Sequence, residues 1–181
     1  MDSAPNQNMR ADSAVRYGSV SRLFHWGMAF LIGWQMLKFF DRIDEGEHWI
    51  GQTLVPAHVA IGTLLLALVM LRIAWASKQS DNRPKLEPTL AMPAKVGHVL
   101  LYAGMALLPV TGILTLIGGG HGWTVFGIRL VAKGNEIPWM SSLGSLHSPI
   151  AWMLLVMIVG HIGMAFVHHV LRKDDVLRRM I

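Results

Sequence analysis

Nine histidines occur in this 181-residue chain, and six of them lie within or at the ends of long apolar stretches. Polar side chains in such stretches are costly to bury, and they usually indicate a function. The chain has no cysteine, which excludes thiolate metal sites, iron–sulfur clusters and disulfides. Imidazole remains as a metal ligand. The candidate ligands are His25, His58, His98, His147, His161 and His168.

Three of these histidines are separated by multiples of seven residues. His147, His161 and His168 therefore share one face of a helix, because seven residues drift only about 20° around the axis. His147 and His161 are 14 residues apart in the sequence. At about 1.5 Å per residue, that is roughly 21 Å along the helix. One metal ion cannot bridge this distance, so the spacing favours two separate metal centres.

Depth within the apolar stretches predicts how the histidines pair. His58 opens the second stretch at the same level as His147, and we call these two the outer pair. His25 and His161 both lie toward the opposite end, and we call them the inner pair. Two imidazoles on opposite sides of an iron are the ligation that a bis-imidazole b-type haem requires. The pattern therefore predicts two haems stacked across the bundle.

At the inner end, depth alone leaves more than one pairing open. His98 and His168 also lie near that end and compete with His25 as partners of His161. Zinc is the main rival metal. A hydrolytic zinc site usually includes a carboxylate base, however, and no Asp or Glu occurs in any of the four stretches. The same absence argues against a proton pump with buried carboxylates.

Four apolar stretches must position these side chains. They run roughly over residues 23–40, 54–76, 96–118 and 146–170, and each has about the 17 to 25 residues needed to cross a bilayer core. Hydrophobic residues make up 52% of the chain and charged residues only 15%, which is low for a soluble domain. We therefore predict an all-α fold, a bundle of four transmembrane helices.

The distribution of cations predicts the orientation of this bundle. Of the 16 lysines and arginines, 12 border one end of the stretches and four border the other. By the positive-inside rule, both termini are cytoplasmic. The net charge of +5 then matches anionic lipid, and we expect no nucleic-acid binding. We divide the chain into a polar cytoplasmic segment (1–20), a transmembrane di-haem domain (21–172) and a cytoplasmic tail (173–181).

Two connections and several glycines complete the prediction. The inner connection, 77–93, is rich in proline and charge and is predicted to be an extended loop. The outer connection, 118–145, begins with three glycines and needs no regular structure at its start. Six glycines in the stretches could admit flat macrocycles or allow close helix packing. They are Gly33, Gly62, Gly104, Gly112, Gly160 and Gly163.

Several motifs in these stretches resemble those of the bacterial cytochrome b561 family. They are SRLFHW at 21–26, PAHVAIG at 56–62, GHVLLY at 97–102 with LPVTG at 108–112, and SLH at 145–147 with His161 and the pair His168–His169. The resemblance covers about residues 17 to 180. It implies a four-helix cytochrome with two b haems in the bacterial inner membrane. The family's axial ligands correspond to His25, His58, His147 and His161.

The resemblance also implies an activity. One branch of the family oxidises periplasmic superoxide and reduces ubiquinone, so we expect an oxidoreductase of this type with ubiquinone as its substrate. An alternative is a di-haem relay subunit that accepts electrons from a redox protein. A remote alternative is a haem-free structural or transport bundle.

Side chains near each end are candidates for these substrates. His168 lies one heptad beyond His161 and could hydrogen-bond a quinone, together with His98 and Arg72. Arg72 could equally contact a haem propionate or anchor the helix at the membrane surface. In the outer connection, two cations could steer a small anion such as superoxide. They are Arg129 and Lys133.

Overall fold

The computed structural model describes residues 9–39, 55–84 and 88–181. Four long helices account for most of them, with a short helix and a β-hairpin between the last two. The helices are α1 (Ser19–Met36), α2 (His58–Lys78), α3 (Pro88–Gly118), α4 (Pro138–Gly144) and α5 (His147–Phe166). The strands are β1 (Trp123–Val125) and β2 (Ile128–Val131). The predicted end of the first stretch at residue 40 and the start of the second at residue 54 lie outside the described residues.

Three helical segments in the described part of the chain are long and apolar enough to cross a membrane. They are His58–Lys78, Leu90–Gly118 and Pro138–Arg172. Large apolar side chains point outward from these segments; Val156 is 69% exposed and Phe166 68%. A helix that is apolar all round needs an apolar environment on every side, and lipid supplies it. The chain is therefore a mostly helical, multi-pass membrane protein.

Each long helix packs against the next one along the chain. Met28 of α1 is fully buried against Leu65 and Val69 of α2, and these three side chains form the core between the first two helices. Leu154 of α5 is buried against α3, where a β-carbon at Gly104 would lie 3.1 Å from its Cδ1 atom. The close approach of α3 and α5 therefore depends on a small residue, as in many membrane helix pairs.

The inner connection is shorter and more regular than an extended loop over 77–93. Helix α2 continues to Lys78, a 3-10 turn follows at Ser80–Asn82, and α3 already begins at Pro88. Proline suits the start of a helix, because the first N–H groups have no partner within the helix. The prediction of an extended loop over this whole range was wrong, because Pro88 favours a helix start rather than continued loop.

The outer connection also forms regular structure. Its β1–β2 hairpin turns at Phe126 and Gly127, whose φ angles are 48° and 82°. Positive φ at both central residues is what a tight two-residue hairpin needs to match the twist of its strands. The hairpin lies against α2 and α3, and α4 packs on α3. The glycine run at 118–120 thus leads into an ordered cap.

The segment before α1 and the first turns of α1 lie against the chain that follows α5, at one end of the bundle. The Tyr17 amide donates to the Arg179 carbonyl oxygen at 3.2 Å, and Trp26 Nε1 donates to the Met180 carbonyl oxygen at 2.9 Å. The buried carboxylate of Asp12 also pairs with Arg83, at 3.2 Å, beyond the end of α2. Residues 9–18 are therefore docked onto this end of the helices.

Candidate functional site

The outer pair consists of the first residues of two helices. His58 begins α2 and His147 begins α5, so both side chains lie at the same end of the bundle. Their ring centres are 6.1 Å apart, with the ring planes at 84°. Metal–imidazole bonds of about 2 Å on either side of one ion would separate two ring centres by roughly 6 Å. The outer pair therefore has the separation that two imidazoles would need to hold one metal ion between them.

Helix α3 holds His147 in place through its backbone. Nδ1 of His147 lies 2.8 Å from the carbonyl oxygen of Leu108 and 3.4 Å from Oγ1 of Thr111. An imidazole whose Nδ1–H donates to a carbonyl presents Nε2 as the metal ligand. Gly112 makes room for the ring, since a β-carbon there would lie 2.9 Å from its Cε1 atom. The absence of a side chain at Gly112 thus allows the His147 ring to lie close to α3.

Two cavities flank the outer pair, and both are bordered by His58 and His147. One has an empty volume of about 480 Å³ and is otherwise mostly apolar, with Gln35 of α1 in its wall. The other has about 590 Å³ and includes Thr63, whose Oγ1 atom accepts a hydrogen bond from Trp123 Nε1 at 3.4 Å. The donor set and its apolar surroundings fit a b-type haem.

The inner end presents three imidazoles instead of two. The ring centres of His25 and His161 are 6.2 Å apart, with planes at 57°. His98 is as close to His161, with ring centres 5.6 Å apart and planes at 77°. Nδ1 of His98 lies 2.7 Å from the carbonyl oxygen of Ala94, which leaves its Nε2 as a possible ligand. The structure therefore brings His25 and His98, two of the three predicted candidates, close to His161.

Arg72 lies beside the inner pair and links three helices. Its Nη2 is 3.1 Å from Nδ1 of His25, and its Nε donates to the hydroxyl oxygen of Tyr102 at 3.1 Å. Its Nη1 is 4.0 Å from the sulfur of Met28. None of these contacts is with a carboxylate. None of these three contacts therefore neutralises the permanent positive charge of Arg72.

His168 is buried just beyond α5, in a π-helical turn over Val167–Arg172. Its Nδ1 lies 2.5 Å from Oδ2 of Asp174. Desolvation alone would raise the pKa of Asp174, but the hydrogen bonds from His168 and the Val176 amide outweigh it, and the pKa is lowered. In the part of the chain that the structure describes, no hydrogen bond or ring contact joins His168 to His98 or Arg72. Of the three candidate quinone residues, only these last two lie beside His161 and His25.

The two cations of the outer connection lie on its hairpin or just after it. Arg129 lies on β2 and Lys133 follows it, and both side chains are exposed. Over the described ranges, no group of three or more His, Cys, Asp or Glu side chains could hold a metal ion.

Three side chains that surround the candidate ligands were not predicted from the sequence. Gln35, Tyr102 and Thr111 contact His58, Arg72 and His147, respectively. A signal was available for Gln35, because an uncharged amide within an apolar stretch is costly without a partner. Tyr102 and Thr111 gave no such signal, since hydroxyl groups in a membrane helix can bond to their own backbone.

The fold and the paired imidazoles define this chain as a multi-pass helical membrane protein with histidines paired between its helices. A family model described as prokaryotic cytochrome b561 matches residues 16–181. The chain belongs to the prokaryotic cytochrome b561 family. Membership of this family implies that the chain binds haem b and transfers electrons in a membrane. It also implies that the chain contacts lipid and exchanges electrons with a redox partner or quinone.

Curated relatives agree with this assignment. The chain is 30% identical to cytochrome b561 homolog 2 of Escherichia coli, over 92% of this chain and 91% of the relative. It is 25% identical to a probable superoxide oxidase CybB of Yersinia pestis, over 92% of this chain and 96% of the relative. Cytochrome b561 homolog 1 of Escherichia coli is 27% identical over 68% of this chain and 72% of its own length.

Proposed function

We propose that this chain carries electrons across the bacterial inner membrane through two b-type haems, from superoxide outside to ubiquinone. The observation that supports this proposal is the presence of two imidazole pairs, with ring centres 6.1 Å and 6.2 Å apart, that share helix α5 but use α2 and α1, respectively, for the second imidazole. His147 and His161 of α5 belong one to each pair, and their spacing separates the pairs by roughly 21 Å. Each haem, when bound, supplies one-electron redox chemistry.

The proposed topology has four membrane spans and two cytoplasmic termini. Helix α1 is 18 residues long, close to the length that a span needs. The segments before α1 and after α5 are hydrogen-bonded at one end of the bundle, which supports an even number of crossings. Most of the cations border the same end.

The proposed quinone site lies at the inner end and uses His168, His98 and Arg72. Arg72 has neutral partners in His25 and Tyr102, so its guanidinium can bind the oxygen of a reduced quinone or a haem propionate. His168 has a carboxylate on one nitrogen, which leaves the other for a quinone carbonyl and supports proton donation. His98 is exposed beside His161 and can face the membrane.

The proposed outer substrate is a small anion. Arg129 and Lys133 are exposed on the ordered cap, where their charge can steer superoxide toward the outer pair. Trp123 of the same hairpin contacts Thr63 in the wall of the cavity next to His58. The similarity to a probable superoxide oxidase supports this substrate.

A second candidate is electron transfer from a redox protein. The hairpin that carries Arg129 also exposes Phe126 (68%), Ile128 (66%) and Leu130 (53%). An apolar patch with a cation at its edge suits a protein partner as well as a lipid surface. The same two haems would then serve as a relay without an outer substrate site.

The experiment that tests the proposal uses purified full-length protein in nanodiscs. A pyridine haemochrome assay should find two haems per chain. Superoxide should reduce these haems rapidly, and the reduced haems should then reduce ubiquinone. Superoxide dismutase is the control, because it should abolish the reduction. One haem per chain would contradict the two-haem proposal. Two haems that superoxide does not reduce would favour the protein-partner alternative.

A further inference from the structure

Gln35 carries the only side-chain amide of α1 and lies beside the outer pair. Its Nε2 donates a hydrogen bond to the carbonyl oxygen of His58 at 2.9 Å. The fit is close, because a β-carbon at Gly62 would lie 3.2 Å from the same nitrogen. The amide therefore ties α1 to the first turn of α2, from which the His58 ring projects.

The oxygen atom of the same amide has an unusual environment. Oε1 of Gln35 is buried and has no hydrogen-bond partner among the residues that the structure describes. Gln35 also borders the 480 Å³ cavity that His58 and His147 share. A buried carbonyl oxygen without a partner reduces stability, so an apolar residue would serve better if packing were the sole requirement. The oxygen is the negative end of a fixed dipole in apolar surroundings, where screening is weak.

We propose that Gln35 lowers the midpoint potential of the outer haem. The inference rests on the proposed function, in which His58 and His147 hold that haem. Ferric haem carries one more positive charge than ferrous haem, so the negative end of a nearby dipole stabilises the oxidised form. Nε2 keeps His58 in position, and Oε1 supplies the dipole. A lower potential outside than inside favours inward electron flow, because electrons pass toward the higher potential.

The test is a potentiometric titration of the full-length protein with both haems bound. In Gln35→Met, the ratio of reduced to oxidised outer haem at a fixed potential should rise about fivefold. This factor corresponds to the free energy of one net hydrogen bond. The inner haem should not change. Gln35→Leu should shift the outer haem in the same direction. Gln35→Glu, at a pH where its carboxylate is ionised, should shift it in the opposite direction.

Ile32→Met is the matched control, since Ile32 borders the same cavity on α1 and has no polar atom. It should leave both potentials unchanged. A residue that only positions His58 would weaken haem binding in Gln35→Met and Gln35→Glu alike, without opposite shifts in potential. Unchanged potentials in both apolar variants would overturn the role of Gln35 while two haems remain bound. A wild-type protein with one haem would instead contradict the proposed function.

Discussion

The outer and inner ends of the bundle differ in how many polar groups surround the candidate ligands. At the outer pair, His147 is fixed by a backbone carbonyl and a hydroxyl, and the remaining walls are mostly apolar. At the inner pair, His161 faces two imidazoles, and the charge of Arg72 is close by. The outer end is thus built around one ligand arrangement. The inner end has surplus groups that could bind a quinone or move a proton.

The largest expected effect is at the outer pair. His58→Ala or His147→Ala should remove one of two haems and leave the inner one, because a single imidazole holds b-type haem weakly in a site built for two ligands. Pyridine haemochrome analysis and the reduced visible spectrum measure the loss. Retention of both haems in either variant would show that another side chain ligates the outer iron.

At the inner end, the clearest comparison is between His25→Ala and His98→Ala. We expect His25→Ala to remove the inner haem and His98→Ala to retain it, although both rings lie within reach of His161. His161→Ala should resemble His25→Ala. The same haem count and redox titration distinguish the variants. Loss of the inner haem in His98→Ala, with His25→Ala harmless, would exchange the two assignments.

A third prediction separates quinone chemistry from haem binding at the inner end. His168→Ala should keep both haems and normal reduction from outside, but slow electron transfer to ubiquinone by about 10²-fold, the lower end for loss of a general acid. Stopped-flow oxidation of reduced protein by a soluble quinone measures the rate. His169→Ala is the control, because His169 is exposed and adjacent. Impairment of His169→Ala alone would move the site to the other face of the helix.

The smallest effect concerns the space around the outer pair. Gly112→Ala should weaken binding of the outer haem several-fold, since the added methyl group would lie 2.9 Å from the His147 ring and must displace it. Titration of haem-depleted protein with haem measures the affinity. Gly33→Ala is the matched control, because a β-carbon there has open space around it. Equal affinities in the two variants would mean that the ring moves aside freely.

Much of the fold follows from local patterns in the sequence. Apolar stretches predicted α2, α3 and α5, and the structure confirms three segments able to cross a membrane. The boundaries were less accurate where turn and capping residues decide them. Pro88 begins α3 earlier than the apolar pattern indicated, and Phe126–Gly127 form a hairpin turn that the glycine-rich composition did not reveal.

The sequence by itself determined that His147 and His161 share one helical face about four turns apart, because helix geometry fixes the position of every residue on its own helix. The tertiary structure alone decided how far these rings lie from His58, His25 and His98. It also decided that the Gln35 oxygen is buried without a partner in the described chain. Distances between helices depend on the packing of segments that are far apart in sequence, and helical periodicity has no information about that packing.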